Sequence, residues 1–328
     1  MKVLYINTPI YDFLTATLIE GLLELGHEVM TSETSNYGQG ASNRQILDYA
    51  EKADLIIIGS GSRVRLWLMQ DVVNPNLIFV DGSDKGAFEV NPYLEFKAVF
   101  KRELGIHDAL AGDERIFPFP FAAEKRYFIN PAPHGSIRDI KVFFAATLST
   151  NPIRYGIHHR LLLLNDPAIF SGSTGERTYK GKNVGNYNDN PQFRELLFRS
   201  QIGINAAGAG WDCARYWEIL AAGALLFTQK LDIVIPDPPK NGQHCIEFNS
   251  LDDFSEKLGE ILTKPQIIAE IAQAGHEHVK RFHTSTARAA FFMTHALAAL
   301  KKNGCCTRFF KEPYRLPLLK KHFYLSFK

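Results

Sequence analysis

The stretch GINAAGAGWDCARYWEILAAGALLF, residues 203–227, contains the clearest structural pattern in the chain. It opens with the end of an apolar strand, 201–205, passes through a turn of glycine and alanine, and continues as a helix over 213–222. A second apolar strand follows at 224–228. A strand, a helix and a strand at this spacing predict two parallel strands joined by a crossover helix.

The same alternation extends to both sides of this stretch. Toward the N-terminus, apolar runs at 2–6, 55–59 and 77–82 alternate with helical patterns, and after 140–145 the pattern starts again. Runs such as LIII are apolar at every position, as strands covered on both faces of a parallel sheet are. The chain is therefore predicted to be α/β throughout.

A proline-rich break at 116–138 divides this pattern in two. Prolines at that density do not fit inside a parallel sheet, so we predict an interdomain connection there. The expected organisation is two Rossmann-like, doubly wound domains facing a cleft, with residues 1–135 in the first, 136–300 in the second, and 301–328 as a tail. Ligands of such folds bind at the carboxyl ends of the strands.

Composition narrows the class of protein. The chain has 328 residues, of which 45% are hydrophobic and 22% charged, and its net charge of +2 gives no reason to expect a polyanionic partner. The N-terminus lacks the features of a signal peptide, and no apolar run approaches the roughly 20 residues of a membrane span. Cys213, Cys245, Cys305 and Cys306 show no C-x-x-C spacing. We predict reduced thiols in a cytoplasmic protein.

The turn before the crossover helix has the features of an anion site. Gly208 and Gly210 let a ligand approach the backbone, and Asp212 is placed to be the N-cap of the helix. The helix N-terminus favours phosphate, and Arg215 in its first turn can pair with phosphate oxygens. Glu218 lies three residues further on the same face, where a carboxylate can accept both hydroxyls of a ribose. The alternative is structural: a cap and an ion pair between positions i and i+3.

At this point the chain resembles a known family. GWDCARYWEILAAGALLFTQK at 210–230 is similar to the donor-site helix of GT-B glycosyltransferases, closest to the CgeB-type (spore maturation protein) and exostosin-like groups. VDGSD at 80–84, VFKREL at 99–104 and FPFAA at 119–123 resemble further segments of these groups. The segment 269–288 resembles their closing helices.

The resemblance implies transfer of a sugar from a nucleotide-diphosphate donor to an acceptor hydroxyl. It makes Glu218 the ribose-binding carboxylate and Arg215 a phosphate ligand. The nucleotide sugar is then a co-substrate, no other cofactor is expected, and no metal site is predicted. Many relatives have a second glutamate eight positions earlier, where this chain has Gly210, so other groups must hold the donor sugar.

Three basic residues are further candidates for the donor site. Arg154 follows the first strand of the second domain and can meet the diphosphate, or it can be a solvated arginine at a helix start. Lys180 and Lys182 lie in the polar, glycine-rich loop 171–189, which can close over the nucleotide or simply be solvated.

Three aspartates are candidates for the base that deprotonates the acceptor in an inverting transfer. Asp81 and Asp84 follow the strand LIFV, and Asp12 lies in the first strand-to-helix loop. The alternative for the Asp-Gly-Ser-Asp stretch is a turn, since both residue types form turns readily.

The tail leaves the acceptor open. It alternates basic residues with aromatic ones such as Phe309, Phe310 and Tyr314, so it can touch an acidic membrane surface or nucleic acid, or pack back on the first domain. We favour packing of the tail on the first domain. The candidate acceptors are a glycan, a lipid-linked glycan, a protein and a modified DNA base. A nucleotide-sugar epimerase and a non-catalytic nucleotide-sugar-binding protein are the alternative functions. An NAD-dependent oxidoreductase is disfavoured because no G-x-G-x-x-G follows the first strand.

Overall fold

Two parallel β-sheets with flanking helices organise the chain in its computed structural model. The backbone separates into two compact units, Met1–Pro120 with the chain from Thr286, and Phe121–Ser285. The structure describes residues 1–7, 11–33, 40–60, 74–84, 96–110, 112–129, 137–174, 182–183 and 191–302.

The first unit contains a six-stranded sheet. Its strands are β1 (Lys2–Ile6), β2 (Glu28–Thr31), β3 (Leu55–Gly59), β4 (Leu77–Asp81), β5 (Ala98–Lys101) and β6 (Ile116–Pro118). They are arranged in the order β2-β1-β3-β4-β5-β6, and each neighbouring pair is parallel. Every residue of β3 and β4 is buried, as predicted from their continuous apolar sequence.

Local sequence explains where the helices of this unit begin and end. The first three are α1 (Phe13–Glu24), α2 (Asn43–Ala50) and α3 (Ile106–Leu110). Asp12 caps α1 by accepting from the Thr15 amide, and Ser42 forms a capping box with Gln45 at the start of α2. Gly26 follows α1 with φ of +79°, a left-handed conformation that favours glycine and ends the helix.

The second unit repeats the architecture with another six-stranded parallel sheet. Its strands are β7 (Ile140–Ala146), β8 (Ile169–Ser173), β9 (Lys182–Asn183), β10 (Ser200–Asn205), β11 (Leu225–Gln229) and β12 (Cys245–Phe248). Their order is β12-β11-β10-β7-β8-β9. The helices are α4 (Pro152–Leu163), α5 (Pro191–Phe198), α6 (Ala214–Ala221), α7 (Leu251–Leu262) and α8 (Pro265–Phe282). Both units are thus doubly wound α/β units, as predicted.

Two hydrophobic clusters cover the two faces of this second sheet. Phe143 belongs to one cluster, together with Trp217 and Ile219 of α6, whereas its neighbour Phe144 belongs to the other. The division follows from the strand geometry, in which successive side chains point to opposite faces. Along β10, Ile204 lies on the Phe144 side, which leaves Gly203 and Asn205 on the face that α6 covers.

Two stretches predicted as connections contain strands. Ile116–Pro118, at the start of the proline-rich break, is β6 and pairs in parallel with β5. It lies at the edge of its sheet, where a proline needs no partner for its missing N–H, so the inference from proline density was wrong here. The predicted loop 171–189 also begins inside β8 and contains the short β9.

The boundaries between the units differ from the predicted domains 1–135 and 136–300. The first unit ends at Pro120, and it includes the last described helix, α9 (Ser285–Lys301), from Thr286 onward. Aromatic packing explains the assignment of α9, because the ring of Phe292 lies 4.4 Å from that of Phe100 and 5.7 Å from that of Phe119. Sequence periodicity predicts the helix but not the sheet on which it packs.

The predicted packing of the aromatic tail falls on residues after 302, which lie outside the described residues. No helix in the described part of the chain is long and apolar enough to cross a membrane.

Candidate functional site

The crossover from β10 to α6 places a small-residue turn at the carboxyl edge of the second sheet, as predicted. β10 ends at Asn205, and the amide of Gly208 donates to the carbonyl of Gly210 at 2.9 Å, which folds the turn back on itself. A Cβ at Gly208 would lie 2.6 Å from Nη2 of Arg154, so no larger residue fits without moving that guanidinium. The turn therefore requires glycine at position 208 for close packing.

Arg154 is buried beneath this turn and is only 6% exposed. Its Nε and Nη2 donate to the carbonyl of Ala206, at 3.3 and 3.1 Å, and Nη2 also donates to Sγ of Cys213 at 3.2 Å. Its Nη1 donates to Thr147 O and to Thr150 Oγ1. These acceptors suffice for all five guanidinium N–H groups. Arg154 therefore holds the turn and is not the solvated side chain of the predicted alternative, whereas its contact with a diphosphate stays a prediction.

Asp212 is not the N-cap of α6, which corrects that part of the prediction. The cap is Cys213, whose side chain makes no capping hydrogen bond. Asp212 is 3% exposed, and it accepts from the amide of Phe121 at 2.6 Å and from Nε1 of Trp217 at 2.9 Å. The buried indole N–H needs an acceptor, and Asp212 supplies it. Both carboxylate oxygens of Asp212 are thus hydrogen-bonded within the second unit.

Arg215 lies in the first turn of α6 and is 4% exposed. Within the part of the chain that the structure describes, its Nε and Nη1 have no hydrogen-bond partner. It does not form the ion pair with Glu218 that the structural alternative required, so that alternative is wrong for this residue. Enclosing an unpaired guanidinium costs free energy, and an anion with several oxygens is the kind of ligand that would offset the cost.

Glu218 is fully buried on the same helix, at 0% exposure. It shares a hydrogen bond with the hydroxyl of Tyr127, which is 3% exposed. Burial first, and then the negative charge of Glu218, raise the pKa of Tyr127 well above its ordinary value of 10.0. Tyr127 therefore stays protonated and donates to the carboxylate. No local pattern predicts this contact, because Tyr127 lies in the 3-10 helix Lys125–Phe128 within the predicted interdomain connection.

Comparisons with known proteins found matches to one family model and to solved structures. Residues 157–294 match the model of a family described as glycosyl transferase-like. The chain is a glycosyltransferase with the GT-B fold. No curated protein matches the sequence.

Solved structures similar to this glycosyltransferase span almost its whole length. An alpha-glucosyltransferase in complex with UDP-glucose and DNA is 12% identical with a TM-score of 0.62, covering 90% of this chain and 98% of its own. A glycosyltransferase from Rickettsia africae is 10% identical, with a TM-score of 0.63 and coverages of 92% and 99%. Anabaena HepE, in complex with UDP and glucose, is 11% identical, with a TM-score of 0.63 and coverages of 91% and 100%. At these identities the likeness shows the fold.

Two of the three candidate bases of the glycosyltransferase lie at the carboxyl end of β4, where Asp81 is the last residue of the strand and Asp84 follows it. Asp81 is 5% exposed. Its carboxylate forms an ion pair with Nζ of Lys101 at 3.1 Å and accepts a hydrogen bond from the amide of Ser83 at 3.0 Å. The Asp84 side chain is 56% exposed and forms an ion pair with Arg102. Asp81 is therefore held inside the unit, and Asp84 is open to solvent.

Asp12 is the third candidate base, and Lys180 and Lys182 are the remaining candidates for the donor site. Asp12 is half-buried and accepts from both the amide and the hydroxyl of Thr15, which makes it the cap of α1. Lys180 and the side chain of Lys182 lie outside the described residues. Within those residues there is no group of three or more histidine, cysteine or acidic side chains that could hold a metal ion.

Proposed function

We propose that this glycosyltransferase takes its sugar from a nucleoside-diphosphate donor that binds at the crossover from β10 to α6. The observation that carries the proposal is the buried Arg215 guanidinium, whose Nε and Nη1 have no partner among the described residues. The small-residue turn beside it and the N-terminus of α6 provide further positive potential for a diphosphate. The UDP and UDP-glucose named with two of the similar structures support a donor of this class.

In this proposal Glu218 accepts the hydroxyls of the donor ribose. Tyr127 already donates to this carboxylate and fixes its position. Because Glu218 is fully enclosed, a ribose can reach it only when the side chains around it move apart. The spacing from Arg215 to Glu218 also supports the finer grouping with CgeB-type and exostosin-like transferases. Gly210, at the position of their second glutamate, leaves the donor sugar to other groups.

For the acceptor side we infer that Asp84 is the first base to test. A base has to reach a hydroxyl of an incoming molecule. The Asp84 side chain is 56% exposed, whereas Asp81 is buried against Lys101 and Asp12 caps α1. If Asp84 removes the acceptor proton, Asp84→Asn lowers turnover by about 10²–10⁴-fold with unchanged donor affinity. Wild-type turnover in this variant would direct attention to Asp12 or to a retaining transfer.

The donor is identified by binding of UDP, GDP, ADP, CDP and their sugars to the full chain. A ligand that binds only the folded protein raises its melting temperature. At a ligand concentration of 100 times its Kd, the free energy of unfolding rises by about 2.7 kcal/mol. Glu218→Gln is expected to weaken the selected donor by roughly 1.5–3 kcal/mol, because a hydrogen bond to a charged group is lost. Glu260→Gln is the matched control, since Glu260 is exposed and pairs with Lys264 on the surface.

The outcomes separate the alternatives. A chain that binds none of these nucleotides contradicts the proposal as a whole. Equal donor affinity in Glu218→Gln and wild type removes Glu218 from the site. Binding without transfer of the sugar to any acceptor or to water, and so without release of the nucleoside diphosphate, indicates a non-catalytic binding protein. Isomerisation of the donor sugar indicates an epimerase.

A further inference from the structure

A second buried polar group without a partner lies at the carboxyl end of β10. Asn205 is 0% exposed, and its Oδ1 has no hydrogen-bond partner among the residues that the structure describes. The same holds for Nε and Nη1 of Arg215. One group is an acceptor and the other a donor, so each is the kind of partner that the other lacks.

The packing of α6 on β10 places these two residues at the same level. Ile219 lies directly over Gly203, where a Cβ would be 2.7 Å from Cγ1 of the isoleucine. Asn205 is two residues further along the strand on the same face, about 7 Å toward the carboxyl edge. Arg215 is one helical turn before Ile219, about 6 Å toward the same edge, because the crossover helix runs back along the sheet.

The amide of Asn205 is held in one orientation. Its Nδ2 donates to Oγ1 of Thr228 at 3.1 Å, and that hydroxyl donates in turn to the carbonyl of Gln229 at 2.9 Å. Since the only hydrogen of the Thr228 hydroxyl is committed, the hydroxyl must accept from Asn205, and the amide nitrogen must face it. Oδ1 therefore points away from Thr228. The side chain of Gln229 also accepts from the amide of Ala207, so the end of β11 holds the small-residue turn as well.

We propose that Asn205 is a positioning residue for Arg215. When a diphosphate is bound, Oδ1 of Asn205 accepts one N–H of the guanidinium and fixes its plane, so that the other N–H groups point at phosphate oxygens. A neutral amide does this without neutralising the guanidinium, whereas a carboxylate would compete with the phosphates for its charge. The inference rests on the proposed donor site at the crossover.

The test measures the affinity of the full chain for the tightest binder among UDP, GDP, ADP and CDP, and for its parent nucleoside. Asn205→Leu keeps the approximate shape and removes the acceptor, and we expect it to weaken the diphosphate about tenfold or more while leaving the nucleoside unchanged. Asn205→Asp is expected to weaken the diphosphate as well, although aspartate is the stronger acceptor. The double variant Asn205→Leu/Arg215→Met should bind no more weakly than Arg215→Met alone.

Each contrary result has a distinct meaning. Full additivity of the two substitutions, or wild-type diphosphate affinity in Asn205→Leu, overturns the positioning role. Equal losses for nucleoside and diphosphate also overturn it, because they indicate a general structural defect. If Asn205→Leu does not fold, Asn205→Asp decides, and tighter binding of the diphosphate by that variant contradicts the proposal. If the wild-type chain binds none of the four diphosphates, the result contradicts the proposed function itself.

Discussion

Replacing Arg215 by methionine is expected to stabilise the ligand-free protein and to weaken its donor binding at the same time. The substitution keeps an unbranched side chain and removes a guanidinium with two enclosed groups, Nε and Nη1, that have no partner among the described residues. Each unsatisfied buried polar group costs about 1–3 kcal/mol. The two groups together cost about 2–6 kcal/mol, and the packing lost with the larger side chain offsets part of this gain, so we expect Arg215→Met to raise the free energy of unfolding by about 1–3 kcal/mol.

Arg154→Met is the matched control, because the two arginines are similarly buried but differently bonded. Arg154 donates to acceptors that include the carbonyls of Ala206 and Thr147, and its loss leaves these carbonyls without their donors. This variant is expected to lose about 1–3 kcal/mol. The two substitutions thus change stability in opposite directions.

Thermal unfolding with and without nucleotide measures both effects. For a unit of this size, 1 kcal/mol corresponds to a shift of about 2–4 °C in the melting temperature. Arg215→Met should melt above wild type without nucleotide and should lose most of the stabilisation by the selected nucleoside diphosphate. If Arg215→Met instead melts as far below wild type as Arg154→Met does, Arg215 has a structural partner and the reasoning about its buried charge is refuted.

Three further expectations follow from contacts outside the turn. Asp81→Asn leaves the buried ammonium of Lys101 without its carboxylate and should lower the free energy of unfolding by about 3–5 kcal/mol, measured by chemical denaturation. Asp84→Asn should lower it by at most about 1 kcal/mol. Equal losses in the two variants would contradict the difference in burial. Burial raises the pKa of Cys245 to about 12, so its thiol contributes stability below pH 9 that is lost as the pH rises toward 12. The melting temperature of Cys245→Ala should therefore fall less steeply over that range than that of wild type, and parallel curves would count against it. Tyr127→Phe removes a hydrogen bond to a buried carboxylate and should lower the melting temperature by several degrees; an unchanged value would show that the bond contributes little.

Sequence periodicity predicted most of the fold because the strands of both units are short and apolar. Lys2–Ile6 and Leu55–Gly59 agree with the predicted strands at both ends. Ile116–Pro118 was missed because the proline rule applies to central strands, and the sequence does not say which strand lies at an edge. The placement of α9 was missed for a related reason, since its sequence does not say on which sheet the helix packs.

The candidate site was predictable as far as its residues are neighbours in sequence. The turn and the spacing of Arg215 and Glu218 are local patterns, and the structure places them at the crossover as predicted. Asp212 was assigned to the wrong role because one of its partners, the amide of Phe121, comes from a distant part of the chain. Tyr127 was missed for the same reason, because its partner Glu218 is distant in sequence and a local pattern does not predict such a contact.

Hydrogen exchange of the full chain, with and without a saturating nucleotide sugar, tests the central claim most directly. The claim is that the donor binds at the crossover between β10 and α6. We expect the donor to slow exchange of the amides in 206–215 and to do so much less in Arg215→Met at the same total concentration. Tight binding that protects amides elsewhere and leaves 206–215 unchanged would contradict the assignment of this crossover as the donor site.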